Sequence, residues 1–310
     1  MTEVESESKA QLSQNTSLQF RVKHRTIKVD DTEIFYREAG SSDAPVLLLP
    51  HGYPCSSFQF RNFMPALVDR WHLIAPDYPG FGYSDTPDPK HFTYTFDGYA
   101  NFLERFAMAM NLTRYALYLH DYGSQIGLRL AMKAPERIVA LIIQNGDIYE
   151  DELGPKYKEL KDYWANPTAA GREKLGNAVS EEGFRNEFVG EVSEHLIERI
   201  SPDLWKLSWS LMQPQRREIM IGLMEGLQEN LEWFPKYQAY LREYQPQTLI
   251  IWGPQDGYMP EGAARAYLKD LPHAELHVLD GGHWLLETHL TEVVALVRDF
   301  LSRVDKHRSL

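Results

Sequence analysis

The apolar residues of this chain follow two rhythms, and the rhythms alternate. Short, mostly apolar blocks stand at PVLLLP (45–50), HLIAPD (72–77), YALYLHD (115–121), IVALIIQN (138–145) and TLIIWG (248–253), and AELHVL (274–279) repeats the pattern. Each has the length of a strand and is apolar on successive positions, as in a parallel sheet buried on both faces. Between the blocks, apolar residues recur at helical spacing. Phe60, Phe63, Met64 and Leu67 follow a candidate cap at Ser56 or Ser57, a second stretch runs from about Phe96 to Met110, and Val293, Val297, Phe300 and Val304 close the chain. These predict helices. Ahead of the first block, FRVKHRTIKV and DTEIFYREA flank Asp30-Asp31 and predict a hairpin. The alternation specifies an α/β fold, mainly parallel, with right-handed crossovers.

The rhythm fails once. Between Asp147 and about Gln245 the pattern holds only helix-like pieces broken by Gly and Pro, rich in Trp and Tyr. An insertion that long is not a simple loop. It predicts a helical lid (147–245) over the carboxyl ends of the strands, where open α/β sheets bind ligands. The core then comprises 18–146 and 246–310. The polar opening MTEVESESKAQLSQNTS (1–17) reads as a flexible tail and lacks the apolar stretch of a signal peptide.

Composition narrows the function classes. With 43% hydrophobic and 25% charged residues in 310, the chain is long enough to build a core without staples. A single cysteine, Cys55, forbids an intrachain disulfide and excludes cysteine-based zinc clusters. It fits a reducing compartment, and a cytoplasmic location is expected. A net charge of −12 argues against nucleic acid as a partner. No apolar run approaches the roughly 18–20 residues of a membrane span.

The chemistry gathers at strand ends. His120-Asp121-Tyr122-Gly123-Ser124-Gln125-Ile126-Gly127 passes from a strand directly into a helix, a turn that lifts one side chain above the sheet at a helix amino end. The apex is Asp121 or Ser124. A serine elbow needs small residues two positions to each side, and Ser124 has Tyr122 and Ile126 there; Asp121 has Gly123 on its later side and is the better apex. Further on, Trp252-Gly253-Pro254-Gln255-Asp256 puts an acid beyond one strand, and Gly281-Gly282-His283-Trp284 puts a histidine beyond the next. Nucleophile, acid, histidine is the chain order of a hydrolase triad. Asp147, after the preceding strand, is the competing position for the acid. His51 and His120 read as buried hydrogen-bonding residues, and His273, His289 and His307 as surface ones. Cys55 lacks a partner pattern and reads as packing.

With His51-Gly52-Tyr53-Pro54 after the third strand and Asp77-Tyr78-Pro79-Gly80-Phe81-Gly82-Tyr83-Ser84 after the fourth, the chain resembles epoxide hydrolases and haloalkane dehalogenases of the α/β-hydrolase fold, from about Phe20 to Val304. The resemblance implies an eight-stranded, mostly parallel sheet with a helical lid. It also implies hydrolysis at saturated carbon: Asp121 is alkylated, and water activated by His283, itself oriented by Asp256, cleaves the ester. A serine would leave an ether that the enzyme could not hydrolyse. The backbone N–H groups of Tyr53 and Tyr122 form the implied oxyanion hole. No cofactor and no metal are implied. The expected partners are water and a small apolar organic substrate, without nucleic acid or membrane, in a monomer or homodimer.

The substrate class rests on the leaving group. Dehalogenases hold a halide with N–H donors, usually an asparagine in the HGN turn and a tryptophan after the nucleophile. Both positions are tyrosine here, with Trp164 a lid substitute for one of them. Epoxide opening uses lid tyrosines as acids, because their O–H donates at neutral pH and their rings tolerate burial. Tyr163 and Tyr237 are the expected pair, although either could equally pack the lid. The reading favours an epoxide. A haloalkane or haloacid dehalogenase, an ester or lactone hydrolase, and a non-catalytic small-ligand receptor are the alternatives.

Overall fold

The computed structural model describes residues 22–306; the opening segment and His307 lie outside them. Eight strands form one sheet in the order β1-β2-β4-β3-β5-β6-β7-β8. The hairpin is β1 (Lys23–Val29) and β2 (Thr32–Ala39), turning at Asp30, whose φ of 52° is left-handed. β2 also pairs antiparallel with β4 (His72–Pro76). All other pairings are parallel, among β3 (Val46–Leu48), β4, β5 (Tyr115–His120), β6 (Ile138–Gln144), β7 (Thr248–Trp252) and β8 (Glu275–Val278).

The unbroken apolar blocks are explained by burial on both sides. Leu47, Leu73, Ala75, Ala116, Tyr118, Ile142, Leu249 and Ile251 face one layer. Their neighbours Leu48, Ile74, Leu117, Leu119, Leu141, Ile143, Ile250 and Trp252 face the other. The period-two alternation of strand side chains thus divides each block between two cores. The first core is closed by α1 (Phe63–Leu67) and the C-terminal segment, where Val293, Val297, Phe300 and Val304 are buried. Ser56 caps a 3₁₀ turn at Ser57–Phe60 that leads into α1, so the single helix expected there is split. The other core packs α2 (Phe96–Ala109) and α3 (Tyr122–Lys133).

Between β6 and β7 the described residues contain helices and turns and no strand. The helices are α4 (Tyr157–Ala165), α5 (Ala169–Ala178), α6 (Glu181–Val189), α7 (Glu194–Ile197), α8 (Asp203–Ser210), α9 (Pro214–Leu231) and α10 (Phe234–Tyr244). Three further helices follow β7: α11 (Glu261–Asp270), α12 (Leu285–Thr288) and the longer α13 (Leu290–Lys306). No helix of the described residues is long and apolar enough to cross a membrane.

Candidate active site

Asp121 sits between β5 and α3 with φ 53° and ψ −133°, a conformation that costs a non-glycine residue on the order of 1–3 kcal/mol. Packing holds it there. A Cβ on Gly123 would come within 2.4 Å of the Pro50 carbonyl, so only glycine lets α3 start this close to the β3 loop. A Cβ on Gly52 would lie 2.5 Å from that of Asp121, so the same loop passes directly beside the carboxylate. Ser124, one turn further on, is fully buried and does not line the cavity above the sheet. Asp121 does line it.

The two carboxylate oxygens of Asp121 have different surroundings. Oδ1 accepts from the Tyr53 backbone N–H at 2.5 Å. Tyr122 is the first residue of α3, where backbone N–H groups have no intrahelical acceptor. Oδ2 faces His283, 3.5 Å from Nε2. On its far side His283 meets Asp256, Nδ1 to Oδ2, at 2.7 Å. Asp256 is fixed in turn by Asn145 Nδ2 at 2.8 Å and by the N–H groups of Tyr258 and Met259 at 2.9 and 3.0 Å. Asp121, His283 and Asp256 therefore form one continuous chain of contacts.

Electrostatics follow from that chain. Burial alone would depress His283, but the carboxylates of Asp256 and Asp121 outweigh it and lift the imidazole to about 10. Burial also works against the charge of Asp256, yet His283, Asn145 and the Met259 N–H hold its carboxyl below the usual range. Asp147 is different. It is fully buried, accepts from Gln125 Nε2 at 3.0 Å, and burial lifts it to about 7. It stands behind Gln125 rather than behind His283.

Residues 45–290 match the family described by the alpha/beta hydrolase fold. The chain belongs to that family. Among its relatives as an α/β-hydrolase is an uncharacterized hydrolase of Saccharomyces cerevisiae, 33% identical over 290 residues, which span 90% of this chain and 96% of the relative. A cis-3-alkyl-4-alkyloxetan-2-one decarboxylase of Shewanella oneidensis is 28% identical over 298 residues, 91% of this chain and 89% of the relative. Among solved structures, a loop variant of a haloalkane dehalogenase from Bradyrhizobium elkanii superposes with a TM-score of 0.78. It is 22% identical and covers 93% of this chain and 99% of its own, a likeness of fold.

Three residues expected to contact substrate stand away from the cavity in this α/β-hydrolase. The Tyr163 hydroxyl donates to Glu225 Oε1 at 2.6 Å, and the Trp164 indole donates to the Met224 carbonyl at 3.3 Å. Tyr237 is fully buried, with its hydroxyl 3.4 Å from Asn230 Oδ1. None of the three lines the cavity; each is used in packing the insertion. The tyrosines that do line it are Tyr53, Tyr122, Tyr157 and Tyr258. His51 and His120 are buried as expected, whereas His289 is half-buried and bonded to Thr288 rather than a surface residue. Burial pushes the Cys55 thiol up to about 12, in keeping with a packing role.

Four contributors escaped the sequence reading. Asn145 bridges Gly253 and Asp256 through its amide and accepts the Asp121 N–H at its carbonyl. The Asn145-Gly146 pair at a strand end was the available signal. Gln125 and the insertion's Glu187 and Glu191 line the cavity, and no spacing in the chain marks them.

Proposed function

We propose that this α/β-hydrolase opens an epoxide through a covalent ester on Asp121 and then hydrolyses that ester. The observation that carries the reading is the Tyr53 hydroxyl. Tyr53 lines the cavity, and its hydroxyl is buried with no hydrogen-bond partner among the described residues. A buried O–H left unpaired costs about 1–3 kcal/mol, a cost removed when a substrate oxygen accepts from it. Burial, with Glu187 and Asp121 nearby, keeps this phenol protonated far above neutral pH. The N–H donors that a halide would need are already engaged: Gln125 Nε2 on Asp147 and Trp284 Nε1 on the Glu187 carbonyl. Glu187 and Glu191 further disfavour an anionic leaving group in this cavity.

The proton inventory closes on these residues. Asp121 Oδ2 attacks a ring carbon, the carbon–oxygen bond breaks, and the opened oxygen takes the Tyr53 proton. His283, protonated between two carboxylates, restores Tyr53, because esterified Asp121 no longer holds the imidazolium. Neutral His283 then takes a proton from water as its oxygen attacks Cγ of Asp121. The oxyanion forms on Oδ1, against the Tyr53 N–H. Collapse expels the diol oxygen with the proton from His283, and the new Asp121 acid returns one to His283. The insertion serves as the lid that keeps bulk water from the ester.

His283→Gln tests the reading. Mass spectrometry after mixing this variant with small epoxides and haloalkanes should show a stable adduct on the Asp121 peptide. An opened epoxide leaves a hydroxyl on the adduct, whereas displaced halide leaves only the alkyl group; the second mass would replace the epoxide with a halide. An adduct on Ser124 or Cys55 would overturn Asp121 as the nucleophile.

A further inference from the structure

The core fastens the acid and the histidine of the triad: Asn145 holds Asp256, and Gln144 Nε2 donates to the His283 carbonyl at 2.9 Å. The insertion reaches both through Gln255, the residue before Asp256. The Gln255 backbone N–H donates to the Gly281 carbonyl at 2.9 Å, and the residue forms an isolated parallel bridge with Gly282. The loop carrying the acid is thereby tied to the loop carrying His283. Its side chain extends the tie to the insertion. Oε1 accepts from the Ser193 N–H at 2.6 Å and from the Ser193 hydroxyl at 2.9 Å, in the turn between α6 and α7. Nε2 donates to Asp280 Oδ1 at 2.8 Å, on the histidine loop. A backbone N–H only donates and a carboxylate only accepts, so these partners fix which way the amide faces.

The same turn grips these loops twice more. Glu191 Oε2 accepts from the Gly257 N–H at 2.7 Å, on the other side of Asp256. A Cβ on Gly282 would overlap Val192 on one side and the Gln255 carbonyl on the other, so only glycine lets the three segments meet. Gln255 itself does not line the catalytic cavity. We infer that Gln255 is a positioning residue: seated between Ser193 and Asp280, it holds the Asp256 loop against the His283 loop and couples that contact to the insertion. The inference rests on the reading of His283 as the base that hydrolyses the Asp121 ester. Attack of Asp121 on a ring carbon needs no water activated by that base, whereas hydrolysis does. Loosening Asp256 from His283 should therefore slow the second step far more than the first.

Gln255→Leu removes both side-chain partners and keeps the backbone bonds. In single turnovers with propylene oxide, followed by mass spectrometry, its Asp121 ester should form at nearly the wild-type rate. That ester should then be hydrolysed at least about ten-fold more slowly, within the range that a misplaced catalytic group costs. Heteronuclear NMR of the histidine rings gives a reading that needs no substrate. The His283 imidazolium should release its proton at lower pH in Gln255→Leu, because a loosened Asp256 supports its charge less. Gln255→Glu sets a carboxylate against Asp280 and should also slow hydrolysis; adding Asp280→Asn should restore it. A residue that serves only the fold would lower the melting temperature and leave the His283 titration and the hydrolysis rate unchanged. Either an unshifted titration or hydrolysis at the wild-type rate in Gln255→Leu overturns the inference. An Asp121 ester missing even from His283→Gln would instead overturn the epoxide reading, and the titration would still decide the role of Gln255.

Discussion

Tyr53 contributes two groups to one site: its backbone N–H on Asp121 Oδ1 and a buried hydroxyl without a partner among the described residues. Those roles separate under Tyr53→Phe. Losing a general acid costs about 10²–10⁴-fold in rate, so epoxide turnover should fall by at least 10². Stability should hold or rise slightly, because the deleted O–H was unpaired and the ring still stacks on Tyr122 at 5.4 Å. A single-turnover assay beside a thermal melt checks both, and unchanged ring opening would remove Tyr53 from the mechanism. Glu187 lines the same cavity and should act on choice of substrate. Burial raises its carboxyl and Lys156 at 3.9 Å opposes that; in its ionised form it should repel an anionic substrate. Glu187→Gln should improve kcat/KM for a carboxylate-bearing epoxide relative to a neutral one, on the order of ten-fold. An equal change for both would show that Glu187 only shapes the wall.

At the scale of elements, the sheet and the insertion differ in how much of them can be read from the chain. Strand segments such as Leu47–Leu48 and Ile142–Ile143 are legible because both faces are buried, so the sequence cannot place a polar residue there. The elbow is legible because a strand, an acid and a helix-starting glycine must follow without a gap. The insertion's tyrosines are not. Tyr157 and Tyr163 share α4, yet one lines the cavity and the other bonds Glu225, a difference set by how α4 lies on α9. Arg216 at the start of α9 shows what fixes the insertion. It donates to the carbonyls of Gly82 and Ser84, each at 2.7 Å, and to Thr86 Oγ1 at 2.8 Å. Arg216→Ala should cost about 1–3 kcal/mol, since charged donors are lost while the freed carbonyls can reach water. Hydrogen exchange should quicken in α9 before it does in β5 or β6. A uniform loss of protection would mean that insertion and sheet open as one unit.

Across the whole molecule, buried titratable groups set a pH window for stability, and their signs can be summed. His51 accepts the Tyr78 N–H at Nε2, and His120 is wedged between Gln59 and the His283 carbonyl. Burial depresses them to about 4 and about 3 from 6.5. Near pH 5 both are neutral when folded and charged when unfolded, so the unfolded state holds about two more protons. Asp147, lifted to about 7 from 3.8, runs the other way and holds one proton only when folded. The net is about one proton taken up on unfolding, so stability falls as pH drops from 6.5 towards 4. Below 3.8 the depressed Asp256 adds to the loss. On the alkaline side His283 decides. Its contribution is fully present below 6.5 and is lost as pH rises through about 10, so near pH 8.5 the folded state holds about one proton more. Maximum stability should therefore lie a little below pH 6.5, where the protons held by the folded and unfolded states balance. Melting temperatures across pH 4.5–9.5 would test this, with proton uptake measured calorimetrically in buffers of different ionisation enthalpy. His283→Gln should flatten the alkaline limb and leave the acid limb in place. An alkaline limb that survives in that variant would show that His283 is not held protonated by Asp121 and Asp256, and the proton relay to the opened ring would lose its source.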